Sequence, residues 1–201
     1  MPRTTRPSAL LPAPLPALLA AAALAACGGG SPLDNPPTLA NPPGSTGQKL
    51  SYAYFERCVN EVLKTPLPVN INGAVSVNTC ASAGCHDNTT GTGGALRLLQ
   101  GAAPAAPFAT ADEVRATDMY KNYYSSLGES VVGAPDDSRL LNKPLVRGVL
   151  HGGGLIFDSV DSAEAKVIRY WISRPMPQGQ DEFGSAAAAM FDATTGACKS
   201  E

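Results

Sequence analysis

The sequence has few histidines, one tryptophan and few charged side chains. His86 and His151 are its two histidines. A structural zinc site usually takes four Cys or His ligands. The chain has one close pair of cysteines and no second pair to complete such a set, which argues against structural zinc. Its net charge of −2, from 15 basic and 17 acidic residues, argues against a nucleic-acid partner.

The sequence also lacks a long unbroken apolar run. The longest candidate, residues 9–27, is interrupted by Pro12, Pro14 and Pro16, whereas a membrane-spanning helix needs about 20 apolar residues. Basic residues precede this run, and small residues end it. That order is typical of an export signal, which predicts a signal peptide over residues 1–26.

The end of the apolar run carries a second signal. Leu24-Ala25-Ala26-Cys27-Gly28 resembles the bacterial lipobox, in which the cysteine is diacylated and becomes the first mature residue. The resemblance implies an exported lipoprotein that is anchored to the membrane through Cys27, in a periplasmic or outer-membrane location. Gly28, where aspartate is the alternative, favours the outer membrane. Two acyl chains make a stable anchor. Residues 27–48, rich in Pro, Gly and Ser, predict a flexible tether, and residues 49–201 predict one folded domain.

Export places the remaining cysteines in an oxidising compartment, where they require an assignment. If Cys80 and Cys85 share one task, Cys58 and Cys198 remain as a disulfide pair. Four cysteines allow three connectivities. A different pairing, or two unpaired thiols, therefore stays open at this point.

Residues 80–86, CASAGCH, combine two cysteines with a histidine that directly follows the second one. A Cys80–Cys85 disulfide is possible but leaves the position of His86 unexplained. Covalent haem explains all three residues, because the two cysteines would form thioethers and the histidine would supply an imidazole ligand to iron. The common spacing has two residues between the cysteines, and here there are four. On a regular helix, side chains five residues apart point roughly 140° away from each other, so the insert must bulge, which small residues and glycine permit.

CASAGCH resembles the longer-spaced haem-attachment motif of some c-type cytochromes. The stretch from about Tyr54 to Trp171 is similar to exported, single-haem, cytochrome c-like lipoproteins. The resemblance implies a mostly α fold, a cytochrome c-like helical domain whose long loops wrap around one covalent haem c. It also implies an electron carrier that meets redox partner proteins, rather than an enzyme.

Two other functions stay open. One is a haem-based enzyme or sensor whose distal site can be vacated, although the chain has no spare Arg–His pair suited to peroxide cleavage. The other is a haem-free, disulfide-stapled structural lipoprotein. A second haem would need another Cys–His set, which the sequence does not contain.

The second axial ligand has two candidates, His151 and Met176. Met176 lies in Arg174-Pro-Met-Pro177 and resembles the Met-Pro of small cytochromes, but it follows the last predicted core helix. His151 lies between the middle and final helices, within Leu150-His-Gly-Gly-Gly154, where glycines allow close approach to a flat ring. We therefore predict His86 and His151 as the iron ligands, with Met176 as the alternative. Met119 is expected in the core, and Met190 in a peripheral tail.

Apolar spacing and capping residues predict the elements that surround the motif. A first helix is expected over residues 52–63, followed by a loop or short strand pair around Asn72-Gly73. A middle helix from Thr110 to Gly128 is expected to wall the haem pocket. A last helix, opening at 161–164 and ending before Pro175, is expected to pack against the first.

Overall fold

The computed structural model describes residues 47–71 and 73–201. The predicted signal peptide, Cys27 and nearly all of the 27–48 tether lie outside the described residues. Within the described residues, short helices are joined by long loops, and the one sheet is a hairpin. No helix in this part of the chain is both long enough and apolar enough to cross a bilayer.

The first helical segment runs without interruption from Tyr52 to Lys64, but its middle turn is wide. Helix α1 is Tyr52–Tyr54, a π-helical turn covers Phe55–Val59, and helix α2 is Asn60–Lys64. The Ser51 hydroxyl accepts a hydrogen bond from the Tyr54 N–H at 3.1 Å and so begins the helix. Thr65 is extended because Pro66 disfavours helical conformation in the residue before it.

Strands β1 (Leu67–Ile71) and β2 (Ala74–Asn78) form an antiparallel hairpin. The connection lies at the predicted turn, where Gly73 has a φ of +84°. The strand-pair interpretation of this segment is therefore confirmed. The hairpin leads the chain directly into CASAGCH.

The predicted middle helix is two helices, α3 (Ala111–Arg115) and α4 (Asp118–Gly128). The predicted capping box is present, with the Thr110 hydroxyl accepting from the Glu113 N–H at 3.3 Å. Thr117 then adopts an extended conformation, and its hydroxyl accepts from the Tyr120 N–H at 3.1 Å. A second N-cap therefore splits the helix, because a threonine that caps cannot also continue the preceding turn.

The C-terminal half contains two further α-helices and two short 3₁₀ turns. Helix α5 is Arg139–Asn142 and follows a 3₁₀ turn at Pro135–Asp137. Helix α6 is Ala163–Ser173, capped by Ser162, and ends two residues before Pro175. A second 3₁₀ turn at Ser185–Met190 leads to the C-terminal tail.

The core forms where the first helical segment meets α6, as predicted. Phe55 and Trp171 have ring centroids 5.4 Å apart, and the Trp171 indole N–H donates to the Ser51 carbonyl at 2.9 Å. Met119 is buried in this core. Met190 is also buried, so its predicted peripheral position is wrong. The alanine-rich segment around it folds back as a 3₁₀ turn instead of extending into solvent.

Cys58 and Cys198 are joined in a disulfide with a Cα–Cα distance of 6.0 Å. This is the pairing inferred from the sequence by assigning the other cysteines. Cys80 and Cys85 are free thiols. The disulfide fastens the C-terminal tail to the π-helical turn of the first helical segment.

Candidate functional site

The four side chains predicted to hold the cofactor line one cavity. Its volume is about 500 Å³, within the range of small-molecule sites. Cys80, Cys85, His86 and His151 all contribute to its wall. The remaining wall is mostly apolar and comes from α2, β1, α5, α6 and the loop before α6, with lining residues that include Leu63, Val69, Leu140, Ile156, Phe157 and Ile168.

The cysteine-bearing loop bulges, as its spacing requires. The His86 N–H donates to the Cys80 carbonyl at 3.0 Å, which closes a turn wider than that of an α-helix. Gly84 has a φ of +81°, a conformation that glycine adopts without steric cost. Within this loop the Thr79 N–H donates to the Ser82 hydroxyl at 2.9 Å. The turn brings both thiols and the following imidazole to the same cavity.

Burial of Cys80 and the neighbouring Cys85 raise the pKa of the Cys80 thiol to about 11. The thiol is therefore protonated at neutral pH and is a poor thiolate nucleophile. This environment does not resemble that of an activated catalytic cysteine.

His86 is buried and held by the chain that follows it. Its Nδ1 lies 3.3 Å from the Leu96 carbonyl, and its own carbonyl accepts from the Leu98 N–H at 2.7 Å. Because a carbonyl only accepts, Nδ1 carries the proton and Nε2 keeps its lone pair. Burial lowers the pKa of His86 below its ordinary value, with His151, Lys143 and Arg97 adding to the effect. The imidazole is thus neutral and has one free ligand atom.

His151, on a different segment of the chain, also has its Nδ1 close to a backbone carbonyl. Its Nδ1 lies 2.8 Å from the carbonyl of Gly154, which leaves Nε2 free to bind. The backbone reverses at this point, since the Gly154 N–H donates to the His151 carbonyl at 2.9 Å and Gly154 has a φ of +73°. His151 is half-buried, and its loop has no regular secondary structure.

The imidazole rings of His86 and His151 are nearly parallel, and their centroid spacing is compatible with one metal ion bound to a nitrogen of each ring. Their planes are 8° apart and their centroids are separated by 6.1 Å. A metal ion bound to one nitrogen of each ring at about 2 Å would place the centroids about 6 Å apart. The described residues contain no group of three or more protein ligands for a metal. The spacing of the two rings is compatible with a metal, such as haem iron, whose other ligands come from a macrocycle.

Met176 does not line the cavity. It is buried elsewhere, with its backbone N–H donating to the Lys49 carbonyl at 2.8 Å. The geometry therefore favours His151 over Met176 as the partner of His86. In the sequence, the position of Met176 after the final helix argued against its being the second iron ligand. The same position in the chain explains why Met176 lies away from the cavity.

Helix α4 does not wall the cavity as predicted. Only Glu129, its C-cap residue, lines it. Tyr120 and Tyr123 of α4 instead pack on the first helical segment, with ring centroids 5.8 and 5.6 Å from that of Tyr52, whereas Tyr124 is exposed. Helix α5 takes the wall position, because the loop after it carries His151.

Gly93 and the cations of α5 are site residues that the sequence reasoning missed. A Cβ at Gly93 would collide with Nδ1 and Cε1 of the His86 ring. The glycines at positions 91, 93 and 94 signal a loop but not its contact with the ring. Arg139 and Lys143 also line the cavity. Their spacing of four residues was the available signal, since it places both on one helix face.

No protein-family description, curated protein or solved structure matches this chain.

Proposed function

We propose that this protein is a membrane-tethered, c-type cytochrome-like electron carrier with one covalent haem. The observation that carries the proposal is the convergence of Cys80, Cys85, His86 and His151 on one cavity. The parallel imidazoles with their hydrogen-bonded Nδ1 atoms support a six-coordinate iron. When bound, haem supplies an iron that cycles between two oxidation states by taking up and releasing one electron.

Each residue of the site has a separate task in this proposal. Cys80 and Cys85 hold the macrocycle by thioether bonds. His86 and His151 present Nε2 as ligands, and their fixed Nδ1–H tautomers keep both imidazoles neutral and oriented. With His86 and His151 both as ligands, electron transfer would need little rearrangement, and oxygen would have little access to the iron. The mostly apolar cavity wall keeps water away from the iron.

The visible spectrum of the purified, full-length protein tests the proposal. A six-coordinate, low-spin haem spectrum is expected, with haem retained by the polypeptide through acid–acetone extraction. Changing Cys80 or Cys85 to Ala should leave attachment through a single thioether bond and lower the yield of holoprotein. Protein that contains no haem, or releases all of it on extraction, would contradict the proposal.

A haem-based sensor is the second candidate, and the position of His151 favours it. His151 lies on a glycine-rich loop, and the adjacent Leu150 is 90% exposed. Such a ligand is easier to displace than one on a packed helix. Addition of carbon monoxide to the reduced protein distinguishes the two functions: rapid binding supports a sensor, whereas an unchanged spectrum supports an electron carrier.

The proposed location is the outer membrane or the periplasm, through a lipid on Cys27. Changing Cys27 to Ala should release the protein from the membrane fraction without altering its haem spectrum. Retention of the variant in the membrane pellet would show that the anchor lies elsewhere. The redox partners of such a carrier would be proteins on the same side of the membrane.

A further inference from the structure

We propose that Arg139 and Lys143 bind the two carboxylates of the cofactor, an inference that rests on the proposed function because those carboxylates are the haem propionates. Both side chains line the cavity. Arg139 is the first residue of α5, and Lys143 is its C-cap. The Lys143 N–H donates to the Arg139 carbonyl at 3.0 Å, so the two residues are one helical turn apart on the same face.

Within the described residues, neither cation has an acidic partner. Among the ion pairs of the described residues, none includes Arg139 or Lys143. Nearby Arg147 and Arg169, in contrast, both pair with Asp136. Like charges four residues apart on a helix repel each other. An anion bound between Arg139 and Lys143 would remove this repulsion.

The other charged groups around the cavity do not provide that anion. Glu129 is the acidic side chain in the lining, and it forms no ion pair with either cation. Arg97 is engaged, since its guanidinium donates to the Gly91 carbonyl at 2.7 Å. His86 and His151 are committed through Nδ1 to backbone carbonyls. Among the described residues, Arg139 and Lys143 are therefore the cations that line the cavity without an ion pair.

Lys143 lies close to the loop that holds the proximal histidine. Its Nζ is 3.8 Å from the position that a Cβ on Gly94 would occupy. The adjacent Gly93 lies directly against the His86 ring. A carboxylate bound by Lys143 would thus lie near the edge of a macrocycle ligated by His86.

The chemistry of haem requires such partners. Haem carries its two propionates on the edge opposite its two vinyl groups, so thioethers at Cys80 and Cys85 direct the propionates away from the cysteine loop. An ionised carboxylate in a mostly apolar cavity is costly unless it is paired and hydrogen-bonded. Two cations on one helix face match two carboxylates on one ring edge. The guanidinium of Arg139 also allows bidentate binding.

The propionate pKa values of the oxidised holoprotein test this inference. They are followed by the pH dependence of the hyperfine-shifted propionate NMR signals in wild type, Arg139→Gln and Lys143→Gln. A nearby cation favours the ionised carboxylate, so its removal should raise the affected propionate pKa by about 1 unit or more. Lys143→Arg should restore the wild-type titration. Lys121→Gln is the matched control, because Lys121 pairs with Asp118 on the exposed side of α4.

Unaltered propionate titration in both haem-containing glutamine variants would overturn this inference and leave the proposed function standing. Wild-type protein without covalent haem would overturn the proposed function itself. The two failures are therefore distinct. Because Arg139 is exposed and Lys143 half-buried, neither substitution removes a core side chain.

Discussion

At the scale of single residues, the two histidines are supported differently. His86 is buried, and its Nδ1 contact is to Leu96, ten residues away on a packed loop. His151 is half-buried, and its Nδ1 contact is to Gly154, within its own tight turn. The fold thus fixes His86, whereas a local turn alone orients His151. We expect the distal side to be the more easily perturbed.

Changing His151 to Ala should retain covalent haem and convert the iron towards high spin, because the sixth ligand is lost while Cys80, Cys85 and His86 remain. The ferric absorption spectrum measures this change. Met176→Ala is the comparison, because Met176 is the alternative ligand and is 2% exposed. It should stay low spin, although it should lose about 2–4 kcal/mol of unfolding free energy through the cavity left behind. A low-spin His151→Ala protein with unaltered potential would mean that the second ligand is another residue.

Gly93 should be essential for the orientation of His86. Gly93→Ala places a methyl group against the His86 ring, and the overpacking should cost about 1–3 kcal/mol. The displaced imidazole should also weaken the low-spin spectrum. Gly101→Ala is a matched control, because a Cβ there meets nothing within 4 Å. Equal stability and equal spectra for the two variants would show that the ring and the loop are not in contact.

The sequence alone was sufficient to predict those site residues that lie close together in the chain. CASAGCH predicts a bulge, and Gly84 with its left-handed conformation provides it. The convergence of His151 on His86 needed the resemblance, because no local pattern reports a contact 65 residues away. Gly93 could not be predicted for the same reason, because its contact with the His86 ring depends on how two loops fold over one another.

At the scale of elements, the strongest local signals predicted the fold best. The hairpin at Gly73 and the capping box at Thr110 are both present. The break at Thr117 could have been seen, since threonine is a good N-cap, but the apolar spacing across it favours one continuous helix. The π-helical turn had no local signal. It occurs at Cys58, where the disulfide to the C-terminal tail is a contact distant in sequence.

Glu182 connects α3, α4 and the segment after α6. Its carboxylate accepts from the Arg115 guanidinium at 3.0 and 3.1 Å and from the Tyr120 hydroxyl at 2.9 Å. Burial alone would raise the pKa of Glu182, but hydrogen bonds from its own backbone, Tyr120 and Arg115 outweigh it and lower the pKa. Glu182→Gln should therefore lower the free energy of unfolding at pH 7 by about 1–2 kcal/mol.

The pH dependence gives the Glu182 prediction its sign. A depressed carboxyl pKa stabilises the fold above the unfolded value of about 4.3, and this contribution is lost as the pH falls through the folded pKa. The difference between wild type and Glu182→Gln should thus shrink between pH 5 and pH 3 in urea denaturation. Glu61→Gln is the control, since its ion pair with Lys64 is exposed and 3.9 Å long. A pH-independent difference would exclude the charge as its cause.

At the scale of the whole molecule, the candidate site lies within the long loop that the Cys58–Cys198 disulfide closes. All four residues of the candidate site lie between Cys58 and Cys198, which are 140 residues apart in sequence. Other contacts also hold the C-terminal tail in place. The Arg57 guanidinium donates to the Gly196 carbonyl at 2.8 Å and lies over the Phe191 ring. The Tyr54 hydroxyl donates to the Lys199 carbonyl. The disulfide therefore reinforces a contact that the folded chain already makes.

This arrangement predicts a large effect on stability and a small effect on the haem spectrum when the disulfide is removed. By restricting the unfolded chain, a disulfide that closes so long a loop should raise the free energy of unfolding by about 4–5 kcal/mol. The Cys58→Ser/Cys198→Ser double variant should lose up to that amount in chemical denaturation, while its low-spin spectrum is retained below the transition, because the tail contacts keep the native geometry. Peptide mapping of wild type without reduction should recover the segments around Cys58 and Cys198 joined. Free thiols at both positions, or a bond from either to Cys80 or Cys85, would contradict the pairing and with it the assignment of the remaining cysteines to haem.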